Sequence, residues 1–239
     1  MPEAVFGLPS AKVIWTPRNE TGLVFECDAR DLPQDGFNTD GAAVSRWRDL
    51  SGKGMNAVQS TGSLQPLFKT NILSGLPGVK GDGTDDFLTA SGLGALLTNS
   101  AGSLFAVATI NGDTQYGLCA THNSLDAYWR FASDGGAYWG IFRGARLTNA
   151  NSMPSSGSYI FCITSGAAGY RFFQNGVTIL STTTSWNAGT DLRLFVEGGN
   201  AGYFSGYLHH LLVFDNELSA SQLSRVTQYL NSIWKVFVA

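Results

Sequence analysis

Short apolar runs separated by turn-forming residues dominate the second half of the sequence. From residue 103 onward, runs rich in β-branched and aromatic side chains are bounded by clusters of Gly, Asn, Asp and Ser. This pattern is typical of the antiparallel strands of a β-sandwich. It predicts strands at 104–110, 127–132, 137–142, 159–164, 170–174, 177–180, 191–196 and 207–214.

Two local signals add a hairpin and a helix to this pattern. Asn175-Gly176 predicts a type I′ turn between adjacent strands, because both central residues of that turn need a positive φ. Ser219, with Gln222 three residues on, forms a capping box at the start of a predicted C-terminal helix near 219–234. Apolar residues then recur at helical spacing. They are Leu223, Val226, Leu230 and Ile233.

Composition favours one folded domain and argues against nucleic acid as a partner. The chain has 239 residues, of which 44% are hydrophobic and 14% charged. All-β sandwiches of this size commonly form a single domain. The net charge is -3, and the 15 basic residues are spread along the chain without a cluster that would bind a phosphate backbone.

The sequence shows neither a signal peptide nor an apolar stretch long enough to span a membrane. We therefore expect synthesis in the cytoplasm and no membrane partner. Cys27, Cys119 and Cys162 are widely spaced and flanked by small or apolar residues. This suits reduced buried thiols better than a disulfide framework.

Four motifs occur in an order and spacing that carry a family resemblance. They are Trp-Arg-Asp-Leu-Ser-Gly-Lys-Gly at 47–54, Val-Lys-Gly-Asp-Gly-Thr-Asp-Asp-Phe-Leu at 79–88, Phe-Ser-Gly-Tyr-Leu at 204–208, and Leu218-Ser219 ahead of the final helix. Together they resemble the concanavalin A-like lectin/glucanase superfamily, in its laminin-G-like (LamG) branch of bacterial and phage proteins. The resemblance covers about residues 23 to 235.

This resemblance implies a jelly-roll β-sandwich of two antiparallel sheets with a C-terminal helix, which we expect to occupy residues 21–239. Residues 1–20 lie outside the family pattern and are expected to form an N-terminal arm. The implied function is that of a non-catalytic lectin-like module, an accessory protein of a phage virion such as a capsid decoration, head or tail fibre. It would recognise glycans or a host surface.

The expected partners are a glycan or another virion or surface protein, and a homo-oligomer is one of the assemblies we consider. Two alternatives stay open. One is a glycoside hydrolase or lyase of the same superfamily, and the other is a purely architectural virion protein without a sugar ligand. A bacterial surface assembly is the other location that the resemblance implies.

An aromatic and basic surface is predicted on the hairpin formed by the strands near 128–132 and 137–143. Loops of two or four residues would both pair odd positions of the first strand with even positions of the second. Such a hairpin would gather Tyr128, Arg130, Trp139 and Arg143 on one face and the core residues Trp129, Phe131, Tyr138 and Phe142 on the other. Aromatic rings and guanidinium groups can bind a glycan or a protein partner, and cover by the chain's own loops is the alternative.

A catalytic function would depend on Glu26 and Asp28, which are two residues apart on one predicted strand and so share a face. Glycoside hydrolysis needs two carboxylates about 5–9 Å apart. Glucanases of the superfamily resemble a Glu-x-Asp-x-Glu signature, whereas here the third carboxylate is replaced by Arg30. We therefore expect no catalytic residues and no enzymatic activity.

No cofactor is expected, although calcium is kept as an alternative. Asp82, Asp85 and Asp86 could supply oxygen ligands to Ca²⁺, or they could cap the turn before the following strand. The histidines are His122, His209 and His210. Adjacent residues of a regular strand point to opposite faces, so His209 and His210 should not share a metal and are expected to be structural.

Overall fold

The structure, a computed structural model, describes residues 15–96, 101–111, 117–122, 130–133, 139–143, 145–148, 156–167, 169–183, 189–196 and 202–238. Within these ranges about half of the residues lie in β-strands, which make up most of the regular structure. In chain order the elements are β1 (Leu23–Asp28), β2 (Arg46–Trp47), β3 (Ala57–Val58), β4 (Leu67–Leu73), β5 (Leu76–Asp82), β6 (Leu88–Ala90), α1 (Leu93–Leu96), β7 (Gly102–Asn111), β8 (Gly117–His122), β9 (Arg130–Ser133), β10 (Trp139–Arg143), β11 (Ala145–Thr148), β12 (Ser156–Gly166), β13 (Gly169–Gln174), β14 (Val177–Thr182), β15 (Asp191–Leu194), β16 (Ser205–Phe214) and α2 (Ala220–Trp234).

The described strands form two antiparallel sheets. The first has the order β14-β13-β12-β7-β16-β5-β4, and the second has the order β11-β10-β9-β8-β15-β6-β3-β2. In the first sheet, β5 and β1 share one edge of β16. β5 pairs with residues 205–208 and β1 with residues 210–214. Short 3₁₀ turns at Pro17–Asn19, Ala29–Asp35 and Gly62–Leu64 complete the chain path.

This architecture confirms the predicted β-sandwich with a C-terminal helix. Asn175 and Gly176 both have positive φ, 51° and 82°, as a type I′ turn between β13 and β14 requires. The Ser219 side chain caps α2, and Gln222 returns the bond to the backbone of Ser219. The local signals were reliable because each depends on backbone geometry within a few residues.

The first sheet is buried on both faces in its centre. Nearly every residue of β7 and β16 is inaccessible to solvent. One face lies against the second sheet, and the other lies under α2, whose Leu223, Val226 and Leu230 are buried. Strands covered on both faces read as continuous apolar runs, which is why these two strands stood out in the sequence.

The Trp47–Gly54 motif acts as a structural brace for β1. The Asp49 carboxylate is buried and accepts hydrogen bonds from the backbone N–H groups of Glu26 (3.1 Å), Ser51 (2.9 Å) and Met55 (3.1 Å). The Leu50 N–H donates to the Glu26 carbonyl at 2.7 Å. A buried carboxylate that satisfies three backbone donors fixes this loop beside the strand.

Residues 15–20 pack on α2. Trp15 lies edge-on to Tyr229, with ring centroids 5.9 Å apart, and the Arg225 guanidinium lies 5.0 Å above the Trp15 ring. Glu20 accepts a hydrogen bond from Gln222 at 2.9 Å. The division into an arm at 1–20 and a sandwich at 21–239 stays a prediction, and residues 1–14 lie outside the described residues.

The structure also bears on the predicted state of the cysteines and on membrane-spanning helices. Cys27, Cys119 and Cys162 are buried and lie outside any disulfide, as predicted. Among the described residues, no helix is long and apolar enough to cross a membrane.

Candidate functional site

A β-bulge in β16 brings two histidines to the same side of the first sheet. Leu208 pairs with Ala108 and His210 with Val107, so His209 is the extra residue. Both imidazoles contact Trp234, with ring centroids at 5.1 Å for His209 and 6.2 Å for His210. The prediction that these side chains point to opposite faces is wrong, because it assumed a regular strand.

His209 is a satisfied structural histidine, as expected. Its Nδ1 lies 3.0 Å from the Pro77 carbonyl and its Nε2 lies 2.8 Å from Thr109 Oγ1. Gly78 makes room for the ring, since a Cβ at that position would lie 2.8 Å from it. Burial lowers the pKa of His209 to about 4, although the bond to the Pro77 carbonyl opposes the shift. The ring is therefore neutral at pH 7.

His210 joins the two carboxylates of β1. Its Nε2 lies 3.3 Å from Glu26 Oε1, and its Nδ1 lies 3.6 Å from Asp28 Oδ2. Glu26 also accepts a hydrogen bond from Arg18 Nε at 2.6 Å. Arg30 binds Asp28, with Nε 3.0 Å from Oδ2. Arg30, which stands where the glucanase signature has its third carboxylate, therefore neutralises the charge of Asp28.

Both carboxylates remain ionised despite their burial. Burial by itself raises the pKa of Glu26, but the hydrogen bonds from His210 and Arg18 outweigh it and the net pKa is lowered. For Asp28, burial is likewise outweighed by the electrostatic interaction with His210 and the hydrogen bond from Arg30, and the pKa is lowered. General acid catalysis needs a carboxyl group that holds its proton and reaches the substrate. Glu26 is 1% exposed and Asp28 is 5% exposed, so neither faces an open cleft.

The Asp82–Asp86 cluster forms a closed turn. Asp82 Oδ1 accepts hydrogen bonds from the N–H groups of Thr84 (2.8 Å), Asp85 (3.2 Å) and Asp86 (3.3 Å), while Asp86 Oδ2 accepts from the Asp82 N–H at 3.0 Å. Possible ligand atoms of Asp82, Asp85 and Asp86 lie within 4.8 Å of one another. Burial, with the nearby charge of Asp82, raises the pKa of Asp86 to about 6. The carboxylates of Asp82 and Asp86 therefore cap the turn. Calcium binding by the same cluster stays the alternative prediction.

The predicted binding hairpin has a different register from the one expected. Ser133 pairs with Trp139, and Ala132 pairs with Gly140, so residues of like parity are paired across a longer connection. The predicted odd-to-even pairing is wrong. The observed register does not place Arg130 on the same face as Trp139 and Arg143. Tyr128 lies outside the described residues, and for the other three only the backbone is described. The assignment of these four residues to a binding surface stays a prediction.

A row of outward-facing side chains crosses the second sheet. Strand pairing aligns Arg46 with Val58, Val58 with Thr89, and Thr89 with Arg193. Cross-strand partners in antiparallel sheets share a face. The residues beside them in each strand, Trp47, Ala57, Leu88, Ala90, Leu192 and Leu194, are buried in the core. We call the row of Arg46, Val58, Thr89 and Arg193 the outer row.

The outer row combines positive charge with apolar surface. Val58 is 46% exposed, Arg46 is exposed, and Thr89 and Arg193 are partly exposed. The Arg193 guanidinium lies 5.5 Å above the ring of Phe87. Beyond Arg193, the backbone register continues through Ala120 to Arg130, one of the predicted site residues. Sequence reasoning missed this row because it joins four short strands that are spread between residues 46 and 194 of the chain.

No protein-family model matches the chain, and no curated protein matches it in sequence. Solved structures do match. Domain 4 of AbnA, a GH43 extracellular arabinanase from Geobacillus stearothermophilus, in complex with arabinotriose, is 12% identical with a TM-score of 0.56, over 88% of this chain and 100% of that chain. Trypanosoma rangeli sialidase in complex with the inhibitor DANA is 13% identical with a TM-score of 0.56, over 87% of this chain. A mutant of HCR/D is 13% identical with a TM-score of 0.57, over 87% of this chain and 52% of that chain.

These similarities define the class as a β-sandwich of two antiparallel sheets. The chain spans about a third of the sialidase, 32% of its length. The comparisons also correct one expectation. We expected the chain not to be an enzyme, but the matched structures include a sialidase and a domain of an arabinanase. The fold therefore gives no ground for excluding enzymatic activity, even though the buried pair of Glu26 and Asp28 does not favour the hydrolase alternative.

Proposed function

We propose that the chain is a glycan-binding β-sandwich module and that the outer row is its binding surface. The observation that carries this proposal is the alignment of Arg46, Val58, Thr89 and Arg193 across strands β2, β3, β6 and β15 on the solvent face. A sheet holds such side chains at fixed spacing, which reduces the entropy lost when a ligand binds.

The chemistry of the outer row suits a sugar. A guanidinium group donates forked hydrogen bonds to vicinal hydroxyls or to a carboxylate. Val58 and the ring of Phe87 offer apolar surface for the C–H faces of a pyranose or furanose. The contact between Arg193 and Phe87 holds the guanidinium in place before a ligand arrives. Arg46 also forms an ion pair with Asp35 at 3.6 Å. Together with Arg193 it favours a glycan that carries carboxylates over a neutral one.

Two of the similar structures support a glycan as the ligand class. Domain 4 of the arabinanase was solved with arabinotriose, and the match covers its whole length. The sialidase was solved with the inhibitor DANA. Both are similar to this chain in fold at low identity, so the ligand of this chain is part of the proposal.

The four sequence motifs support a more specific assignment of family and biological role. It places the chain in the concanavalin A-like superfamily, in the LamG type, as an accessory protein of a phage virion. In that setting Arg130, which continues the backbone register of the outer row, extends the binding surface. A binding role for Tyr128, Trp139 and Arg143 stays a separate prediction. The partner is then a glycan of the host surface, a neighbouring virion protein, or further copies of this chain in a homo-oligomer.

A glycan array on the purified chain, with and without EDTA, tests this proposal. We expect binding to glycans that contain uronic or nonulosonic acids, and Arg193→Ala should reduce it about 10- to 100-fold, as the loss of a charge-assisted contact of about 1.5–3 kcal/mol would do. Lys53→Ala, which removes a cation from an exposed loop position that is not part of the outer row, is the matched control. Retention of full binding by Arg193→Ala and Arg46→Ala would exclude the outer row, and the absence of any bound glycan would favour the architectural alternative.

A further inference from the structure

The end of the chain is folded back over α2 and fixed there. Lys235 adopts a left-handed conformation, with φ of 53°, and this ends the helix. The Asn231 side chain then binds both backbone groups of Phe237. Its Nδ2 donates to the Phe237 carbonyl at 2.9 Å, and its Oδ1 accepts from the Phe237 N–H at 3.0 Å. Because Asn231 is buried, these two bonds hold the tail in one position.

The ring of Phe237 lines a groove beside α2. A groove of about 290 Å³ lies between the turn at Asn175–Gly176 and the helix, with Phe237 in its wall. A wider groove of about 700 Å³ continues toward Lys235. The two grooves share Gln228 and Phe237 as lining residues. An elongated ligand could therefore pass along the helix with the aromatic ring at its centre.

The smaller groove offers amides and hydroxyls and carries no charged side chain. Asn175, Ser224, Thr227 and Gln228 supply its polar groups. The Oδ1 of Asn175 accepts from the Ile160 N–H, so its amide group Nδ2 is available as a donor. Gln228 Nε2 donates to Ser224 Oγ at 3.0 Å, which orients Oε1 of Gln228 as an acceptor.

The aromatic residue Phe237 and the uncharged polar groups of the smaller groove together select the chemical class of the ligand. An anion or a cation would find no opposite charge in the smaller groove, so its desolvation would be uncompensated. An apolar peptide would leave the amides unpaired. A sugar has an apolar C–H face for the ring and hydroxyls that both donate and accept hydrogen bonds. The volume of the smaller groove is about that of one or two sugar units, at the lower end of the 300–1,000 Å³ that is usual for ligand pockets.

We propose that the groove between the β13–β14 turn and α2 binds an uncharged sugar unit of a glycan, stacked on Phe237 and hydrogen-bonded by Asn175 and Gln228. The ligand class is shared with the proposed function, but the site is separate. α2 covers the first sheet, whereas the outer row lies on the solvent face of the second sheet. Two sites on opposite faces would let one module connect two glycan chains, which raises the apparent affinity for a polymer.

Isothermal titration of the chain with uncharged trisaccharides tests the groove. The probes are arabinotriose, maltotriose, cellotriose and chitotriose. Phe237→Leu keeps an apolar side chain and removes the aromatic ring, and it should weaken binding about tenfold, as expected for a lost stacking contact. Gln228→Ala, on the exposed side of the helix, should weaken binding to the same probe. Val238→Ala is the matched control, because this neighbouring side chain is 100% exposed.

The outcomes separate this inference from the proposed function. Arg193→Ala should leave the affinity for the uncharged probe unchanged and reduce only the binding of acidic glycans. Circular dichroism and thermal unfolding establish that each variant is folded. If none of the four trisaccharides binds at millimolar concentration, or if Phe237→Leu and Gln228→Ala both bind like the parent chain, the groove is not a sugar site. Loss of all glycan binding in Arg193→Ala would likewise exclude the groove and leave the outer row as the site.

Discussion

The indole Nε1 of Trp234 donates a hydrogen bond to Nδ1 of His210 at 3.3 Å and so joins the last residue of α2 to β16. An indole N–H can only donate, so Nδ1 must be the unprotonated nitrogen of the ring. The proton of His210 then lies on Nε2, where it faces Glu26 Oε1 at 3.3 Å. One contact therefore sets the tautomer of the histidine and connects the helix to the buried carboxylates of β1.

Removal of this indole donor should weaken the attachment of α2. We expect Trp234→Phe to lower the free energy of unfolding by about 1–3 kcal/mol, because Nδ1 of His210 would be buried without a donor. Urea denaturation followed by fluorescence or circular dichroism measures the change. Ser232→Ala, on the exposed side of the same turn, should stay within about 0.5 kcal/mol of the parent chain. Equal stability of Trp234→Phe and the parent would show that the hydrogen bond contributes nothing.

The buried His209 should make the fold sensitive to acid. Its pKa is lowered from 6.5 to about 4 in the fold, so the unfolded chain binds a proton first as the pH falls. Its contribution to stability is complete above pH 6.5 and is lost between pH 6.5 and 4, by an amount on the order of 3 kcal/mol. Chemical denaturation across this range tests the prediction, and His209→Gln should flatten the dependence. The lowered pKa values of Glu26 and Asp28 act at lower pH.

The raised pKa of Asp86 has the opposite consequence. A carboxyl group with a pKa of about 6 in the fold and 3.8 otherwise destabilises the folded chain as the pH rises through this interval. Asp86→Asn should therefore raise the free energy of unfolding at pH 7 by on the order of 1 kcal/mol, since the amide oxygen can still accept from the Asp82 N–H. The gain should vanish below pH 4. If Ca²⁺ raises the melting temperature of the parent chain but not of this variant, calcium occupies the turn.

The boundary of the N-terminal arm can be located by two truncations. Removal of residues 1–14 should leave the stability of the domain unchanged and affect only assembly. Removal of residues 1–20 also deletes Trp15 and Glu20, which contact α2. Trp15→Ala in the full chain should account for part of the difference, at about 1–2 kcal/mol for a half-buried aromatic contact. The longer deletion also removes Arg18, which binds the buried carboxylate of Glu26. Unfolding after the shorter deletion would mean that residues 1–14 are part of the sandwich.

Two alanine substitutions distinguish a binding surface from a core position on the hairpin of β9 and β10. The predicted surface implies that Trp139→Ala reduces ligand binding by about 2 kcal/mol and leaves stability unchanged. Phe131→Ala should instead lower stability by about 3–5 kcal/mol as a core truncation. The register pairs residues of like parity, so equal destabilisation by both substitutions would remove Trp139 from the binding surface. Thermal unfolding and the glycan array together decide between the two outcomes.

Features that depend on neighbouring residues were predictable from the sequence. The turn at Asn175–Gly176 and the cap at Ser219 follow from backbone preferences of a few residues, and the strands β7 and β16 follow from continuous apolar runs. The burial of both faces of these strands makes their sequence signal strong. For the same reason the fold class of a two-sheet sandwich was correctly predicted.

The sites depended on pairings that no local pattern encodes. The bulge at His209 changed the direction of a side chain, and the like-parity pairing of Ser133 with Trp139 undid the predicted arrangement of the hairpin. A shift of one residue in a strand moves every following side chain to the other face. The sequence determined which segments are strands and helix, whereas tertiary structure alone decided which side chains share a surface, because register is set by contacts between residues far apart in the chain.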